Sequence, residues 1–399
     1  MIFRKRTLVV MLTLLAIVLL MGCTTDDAEN DEVLMDLVYN ETEEDEEDVD
    51  EEEVVEEIEI PDYITIQGEE FCTSLTSLDL SERSLSNTDI RELAYMVNLR
   101  ELDLSFNNIN NLEPLKNLTN LETLNLFRNG GVRDITPLSN LTNLQWINLA
   151  NNEVRDLTPL ENLVQLEHLN LFHNTQVYDL SPLANLLNLE ELWLHRIGAS
   201  DLTPLANLTN LRALDLSNGV IGDISPLAGL VSLEKLRLYG NEIEDVSPLA
   251  NLNNLITLHL HSNQINDIAP LANLIRLEIL VLTDNNISDI YPLSNLKNLE
   301  RLDLGNYIFT TNENEISDIS PLSTLVNLQS LNLSGGNIDD FTPLLYLTNL
   351  RSLDLAGNRI IDSTFLRHLT HLEVINLTRV ETEDWSFLDD LVDVRILRF

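Results

Sequence analysis

Cysteine is almost missing from this chain, with two residues in 399, Cys23 and Cys72. That excludes a disulfide framework, so the compartment has to be read from targeting signals rather than from thiols. Basic residues are scarce too: 23 Lys and Arg stand against 66 Asp and Glu, a net charge of −43. Nucleic acid is thereby excluded as a partner class, because binding it takes a basic footprint. A basic or neutral protein surface is approached more easily. The sequence also has no glycine-rich phosphate loop, no Ser/His/Asp or Cys/His constellation and no full ligand set for a metal, and its acid pairs are too scattered for a glycosidase couple. No enzyme activity and no cofactor are expected. The apolar run Leu8–Leu20 is too short for a comfortable membrane-spanning helix.

That run nonetheless has a purpose. Arg4, Lys5 and Arg6 precede it, and Leu20-Met21-Gly22-Cys23 ends it, so residues 1–22 read as an export signal. The last four residues resemble the lipobox of bacterial lipoproteins, which implies that Cys23 carries the lipid. Residues 23–60 then form an acidic tether. Within it, residues 24–60 hold 20 Asp and Glu and no Lys or Arg, while residues 61–399 hold 46 acids against 20 bases, a net of −26. A run such as Glu41-Thr42-Glu43-Glu44-Asp45-Glu46-Glu47-Asp48 self-repels and buries too little apolar surface to fold. Its spacing matches no EF-hand loop.

From Leu99 onward one pattern dominates: L-x-x-L-x-L-x-x-N, then I-x-D-I-x-P-L. Repeats begin at 99, 121, 144, 166, 189, 211, 233, 255, 277, 299, 328, 350 and 372. Self-similarity at this period marks a leucine-rich solenoid. The L-x-L core alternates, so its leucines point inward and stacked copies form a parallel sheet. The Pro-Leu segment is too short for a long helix and returns through turns or short 3-10 pieces. The fold class expected is therefore an α/β solenoid of 22-residue units, with a curved parallel sheet and a convex side of short turns. Asn at 107, 129, 152, 174, 241, 263, 285 and 358 is placed to serve backbone groups of adjacent turns. Ile197, Gly219, Tyr307, Gly336 and Val380 replace it, and local irregularity is expected there.

Residues 61–98 read as an N-terminal cap with a degenerate first repeat. Tyr63–Gln67 alternates as a strand, and Asp89–Val97 has a short helix pattern with Asn87 or Thr88 as N-cap. Cys72 reads as a small buried hydrophobe whose neighbours Glu69 and Glu70 oppose thiolate formation. Residues 99–399 carry the repeats. The last two exchange proline for Phe365 and Phe387, as capping repeats do, and Val394–Phe399 forms a final edge strand.

The pattern with Asp267-Ile268-Ala269-Pro270-Leu271 and Asp289-Ile290-Tyr291-Pro292-Leu293 resembles the internalin-type leucine-rich repeats of bacterial surface proteins, over about three quarters of the chain. The resemblance implies a curved, exported solenoid that binds another protein through its concave strands. The better-known members carry an immunoglobulin-like domain and a C-terminal wall-sorting signal. Here the N-terminal anchor is expected to take the latter's place.

Repeat positions three, five, seven and eight face outward on the strand side. From Leu121 to Leu282 they include Phe127, Trp146, Phe172, His173, Trp193, His195, Arg196, Lys235, Arg237, Tyr239, His259 and His261. Beyond that they turn small or polar. An outward Trp has no duty in the fold, and Trp, Tyr and Arg dominate binding hot spots. A protein partner on this face is the expectation. The alternatives are that the rings stack on one another, as Phe127 and Trp146 would, or that Trp146, Trp193 and Tyr239 stack on sugars. Arg196, Lys235 and Arg237 form a basic spot, with Asp215 and Glu191 near enough to balance it. His259 and His261 share a face but lack a third ligand, so a pH-sensitive contact is preferred to a metal site. The repeat at Leu299 is 29 residues long. Its insertion, with Tyr307, Ile308 and Phe309, is a second candidate contact.

Overall fold

A computed structural model describes residues 60–306, 313–391 and 393–398. The export signal, Cys23 and the acidic tether up to residue 59 lie outside the described residues, as do Tyr307, Ile308 and Phe309. Residues 59–399 form one compact unit.

A hairpin opens it: β1, Tyr63–Ile66, pairs antiparallel with β2, Glu69–Cys72. The turn between them uses Gln67 and Gly68, both at positive φ, the geometry that two-residue hairpins favour. Fifteen parallel three-residue strands follow in unbroken sequence order. They are β3 Ser77–Asp79, β4 Glu101–Asp103, β5 Thr123–Asn125, β6 Trp146–Asn148, β7 His168–Asn170, β8 Glu191–Trp193, β9 Ala213–Asp215, β10 Lys235–Arg237, β11 Thr257–His259, β12 Ile279–Val281, β13 Arg301–Asp303, β14 Ser330–Asn332, β15 Ser352–Asp354, β16 Val374–Asn376 and β17 Arg395–Leu397. Equivalent residues pair throughout: Leu236 lies beside Leu214 on one side and Leu258 on the other. The curved solenoid expected from the repeat is the fold observed.

Inward leucines form the core. Leu233, Leu236 and Leu238 of one repeat are fully buried, as are Leu255, Leu258 and Leu260 of the next. Each such side chain contributes about 1.5–3 kcal/mol over exposure. Each chain return is a 3-10 segment of three to five residues, most with proline in the first turn, where its missing N–H costs nothing. The aspartate of D-I-x-P-L sets that turn. Asp156 accepts the Thr158 N–H at 2.9 Å and Asp267 accepts that of Ala269 at 2.8 Å.

These carboxylates make the fold acid-sensitive. The larger influence holding Asp134, Asp156, Asp201 and Asp340 below the usual carboxylate range is the Thr hydroxyl two residues on. For Asp223, Asp318, Asp362 and Asp384 it is the backbone N–H of that residue. The unfolded chain therefore takes up these protons at a higher pH than the folded one. Their stabilisation is complete above the unfolded value of about 4 and is lost as pH falls through the folded values. Urea midpoints should fall between pH 4 and pH 2; midpoints that hold level would show the aspartate turns to be idle.

Asparagine does what its placement suggested. The Asn285 amide donates to the Leu260 and Leu282 carbonyls, both at 3.0 Å, and its oxygen accepts the Ile265 N–H at 3.1 Å. The irregularity expected where Asn is replaced does not extend to the sheet: most of these leucine carbonyls keep one neighbouring asparagine, and Leu194, between the Ile197 and Gly219 gaps, accepts the Ile197 N–H at 3.3 Å instead. Leu171, beside the Ile197 gap, still accepts from Asn174 at 2.9 Å, and β7, β8 and β9 stay in register. In the long repeat, Asn314 takes the post vacated by Tyr307, donating to Leu282 and Leu304 at 2.9 Å each. The ladder thus continues in phase from β13 to β14.

Two details of the cap differ from expectation. Asp89–Val97 holds a 3-10 segment, Arg91–Tyr95, with no side-chain cap; Ile90, Leu93 and Met96 are buried there and Ala94 and Val97 are half-buried. The segment is too short to repay an α-helical nucleus. Glu92 instead ties it to the hairpin by accepting the Thr65 N–H at 2.8 Å. Cys72 is half-buried, 3.0 Å from the Ser74 hydroxyl, and hydrogen bonding to Ser74 lowers the thiol's pKa against the opposing influences of desolvation and Asp62. At the other end Phe365 and Phe387 are buried where proline stood, and β17 closes the sheet as an edge strand.

Candidate functional site

Outward residues form columns, because every repeat places the same position beside its counterpart about 4.8 Å away. Position eight, three residues past the strand, takes the left-handed conformation in most repeats, as at Phe106, Arg128, His173 and Arg196. This turns the side chain onto the rim of the face.

The position-seven column carries a stack. Phe172 lies flat on His195 with ring centroids 4.6 Å apart, and Tyr239 lies flat on His261 at 4.4 Å. Ser217 between them is small, so the Tyr239 hydroxyl reaches His195 Nδ1 at 3.3 Å. His173 flanks Phe172, and its Nε2 is 3.3 Å from Arg196 Nη1. The position-five column runs alongside. The Arg237 guanidinium sits 5.4 Å over the Trp193 ring and 3.6 Å from buried Asp215. His259 follows on the next strand. Lys235, on position three, is exposed. Ten of the twelve candidates therefore form one surface from β7 to β11.

Phe127 and Trp146 are the two that stand apart, also from each other. Phe127 packs edge-on against Phe106 at 5.0 Å, with Arg128 over Phe106 at 5.7 Å. Trp146 sits at position three, at the far end of the neighbouring strand. It walls a hollow of about 480 Å³ lined by Ser77, Asp79, Glu101, Asp103, Thr123 and Asn125. Sequence reading missed Phe106 and this hollow. The same outward positions applied to β3 and β4 would have found both.

The three central histidines stay neutral at physiological pH. Burial lowers His195, outweighing the pull of Asp215 at 4.0 Å. Burial and then Arg237 lower His259. His261 is lowered to about 4 by burial and then by His259. A contact switching between pH 5 and 8, the role preferred for this pair, is not supplied by His261. Its unfolded form protonates near 6.5 and its folded form near 4, so between those values the unfolded state holds more protons and stability falls as pH falls. His261→Phe should flatten that part of a stability–pH profile recorded from pH 7 to 4; an unchanged slope would assign it elsewhere.

Beyond β12 the face is polar and internally matched. Arg301 pairs with Asp303 at 2.7 Å, and the Asn376 amide donates to Asp354 at 2.9 Å. Among the described residues no group of three or more His, Cys, Asp or Glu side chains could hold a metal ion.

Leucine-rich repeat family models match residues 97–140, 142–185, 231–273, 275–311 and 346–363. Fold and matches together define a leucine-rich repeat protein, a class built as a recognition scaffold for other proteins. Among solved structures the chain is similar to an internalin (inlF) of Listeria monocytogenes, at 36% identity over 77% of this chain and 89% of that one, with a TM-score of 0.73. The chain belongs to the leucine-rich repeat proteins of internalin type. A leucine-rich repeat protein of Leptospira interrogans shares the fold at 22% identity over 81% of this chain and 90% of that one, TM-score 0.67. So does the ectodomain of a membrane receptor kinase of Arabidopsis thaliana, solved in complex with Casparian strip integrity factor 2. There the identity is 23%, over 82% of this chain and 41% of that one, TM-score 0.64. No curated protein matches the chain.

Proposed function

We propose that this chain is a non-enzymatic lipoprotein of the bacterial cell surface, held to the outer face of a membrane through Cys23 and its acidic tether, and that its concave sheet binds a protein partner in adhesion or surface recognition. The observation that carries the binding role is the Trp193–Arg237 pair with the stack beside it. The leucines beneath are already sealed, so these large side chains add nothing the core needs, and they collect on one part of an otherwise acidic domain. The tether's charge serves as a spacer. Capture of a protein from candidate surface extracts by the immobilised full chain tests the role.

A carbohydrate or wall ligand is the second reading. It is favoured by the Trp146 hollow, where an indole lies beside the polar side chains of Asp79, Asp103 and Asn125, groups suited to sugar hydroxyls. Retention on insoluble peptidoglycan with no protein captured would select it. For the anchor, metabolic labelling with a fatty-acid analogue should mark the chain and be lost in Cys23→Ser; label persisting in the variant contradicts lipidation at that residue.

A further inference from the structure

The binding face carries opposite charges at its two ends. At β3 and β4 the carboxylates of Asp79, Glu101 and Asp103 line the hollow beside Trp146. Among the described residues none of the three forms an ion pair: Arg83 is taken by Glu69 and Arg100 by Glu122. Their hydrogen bonds come from neutral groups, with the Ser77 hydroxyl 3.0 Å from Glu101 and the Asn125 amide 2.8 Å from Asp103. Six strands further on, Arg196, Lys235 and Arg237 outnumber the nearby carboxylates of Asp215 and Glu191, and His195 and His259 among them are neutral. Trp146 walls the first end and Trp193 lies under Arg237 at the second. From β4 to β10 at about 4.8 Å per strand is a distance of about 29 Å.

We infer that the occupant of this face is a protein segment lying along the solenoid axis that presents a cation to the Trp146 hollow and an anion to the Arg196–Lys235–Arg237 spot, about 29 Å away. The inference rests on the protein-binding reading and adds chemistry and direction to it. An Arg or Lys head in the hollow meets carboxylates and the face of an indole, a combination that favours a cation over a neutral group. A carboxylate at the other end meets three cations that Asp215 and Glu191 only partly balance. Because the charges differ in sign, a segment laid in the opposite direction puts like charges together at both ends, so the face reads polarity as well as composition.

The test uses the immobilised full chain and a phage-displayed random library of peptides about 16 residues long, enough to span about 29 Å when extended. Selected peptides should carry a basic residue and an acidic residue at a constant separation of about eight or nine positions. Replacing the basic residue of such a peptide by Gln should weaken its binding about tenfold on the natural chain and by a smaller factor on Glu101→Gln, where only Asp79 and Asp103 remain to attract the cation. The exchange Glu101→Lys/Lys235→Glu alters two exposed side chains but leaves Asp79 and Asp103 in the hollow and Arg196 and Arg237 at the basic spot, so it should select peptides that have lost the constant charge order. Peptides that depend on Trp146 and Trp193 yet show no charge order would overturn the polarity inference while leaving the protein-binding reading standing. Peptides indifferent to both tryptophans, or no enrichment at all, would remove both.

Discussion

Leu258→Ala should destabilise the array by about 3–5 kcal/mol, the upper part of the range for a buried leucine. Leu258 is the middle residue of β11, fully buried, and is held in register between Leu236 and Leu280. Strand spacing is fixed by the sheet and by the asparagine bridges on either side, so the walls of the resulting cavity have little freedom to close. Each repeat is also stabilised chiefly by its neighbours, and a defect in the middle weakens two interfaces. The outward neighbour Thr257 is the control: Thr257→Ala should stay within about 0.5 kcal/mol. Urea denaturation followed by circular dichroism reads both. A loss below about 1 kcal/mol for Leu258→Ala would mean that the interior leucines do not carry the fold.

The second large effect concerns binding. Trp193→Ala should weaken capture of the protein partner about 30-fold or more, the equivalent of a hot spot of about 2 kcal/mol. The substitution removes the ring and also the surface on which Arg237 is held, so the guanidinium loses its fixed aim. Trp146→Ala acts at a separate end of the face and should add its own loss, since the two rings stand two strands apart without contact. Tyr291, on a convex 3-10 segment, is 71% exposed, the most open of the large apolar side chains among the described residues. Tyr291→Ala should leave binding unchanged. Equal losses from Tyr291 and Trp193 would place the contact on both sides of the solenoid and contradict a concave site.

Much of this molecule could be read from its sequence because the repeat states each rule a dozen times. Inward leucines, the asparagine bridges and proline at the start of each return all follow from the geometry of one unit. What one unit does not determine is which outward side chains meet. Phe127 and Trp146 are neighbours in strand order, yet positions seven and three lie about 13 Å apart along a strand, so one ring joins Phe106 and the other faces a polar hollow. The Phe172–His195 and Tyr239–His261 stacks depend on Ser217 being small enough for Tyr239 to lean across it. The departures in the cap have the same origin, since Arg91–Tyr95 and the hairpin occur once, and the segment is held against β1 by Glu92 and Thr65.

The concave-site claim is tested most directly by hydroxyl-radical footprinting of the full chain with and without its captured partner. Trp146, Trp193 and Tyr239 should become protected, while Tyr291 and Tyr346 on the convex side keep their reactivity. Protection of the convex tyrosines, or of the insertion around Tyr307, with the three concave rings unchanged would contradict it.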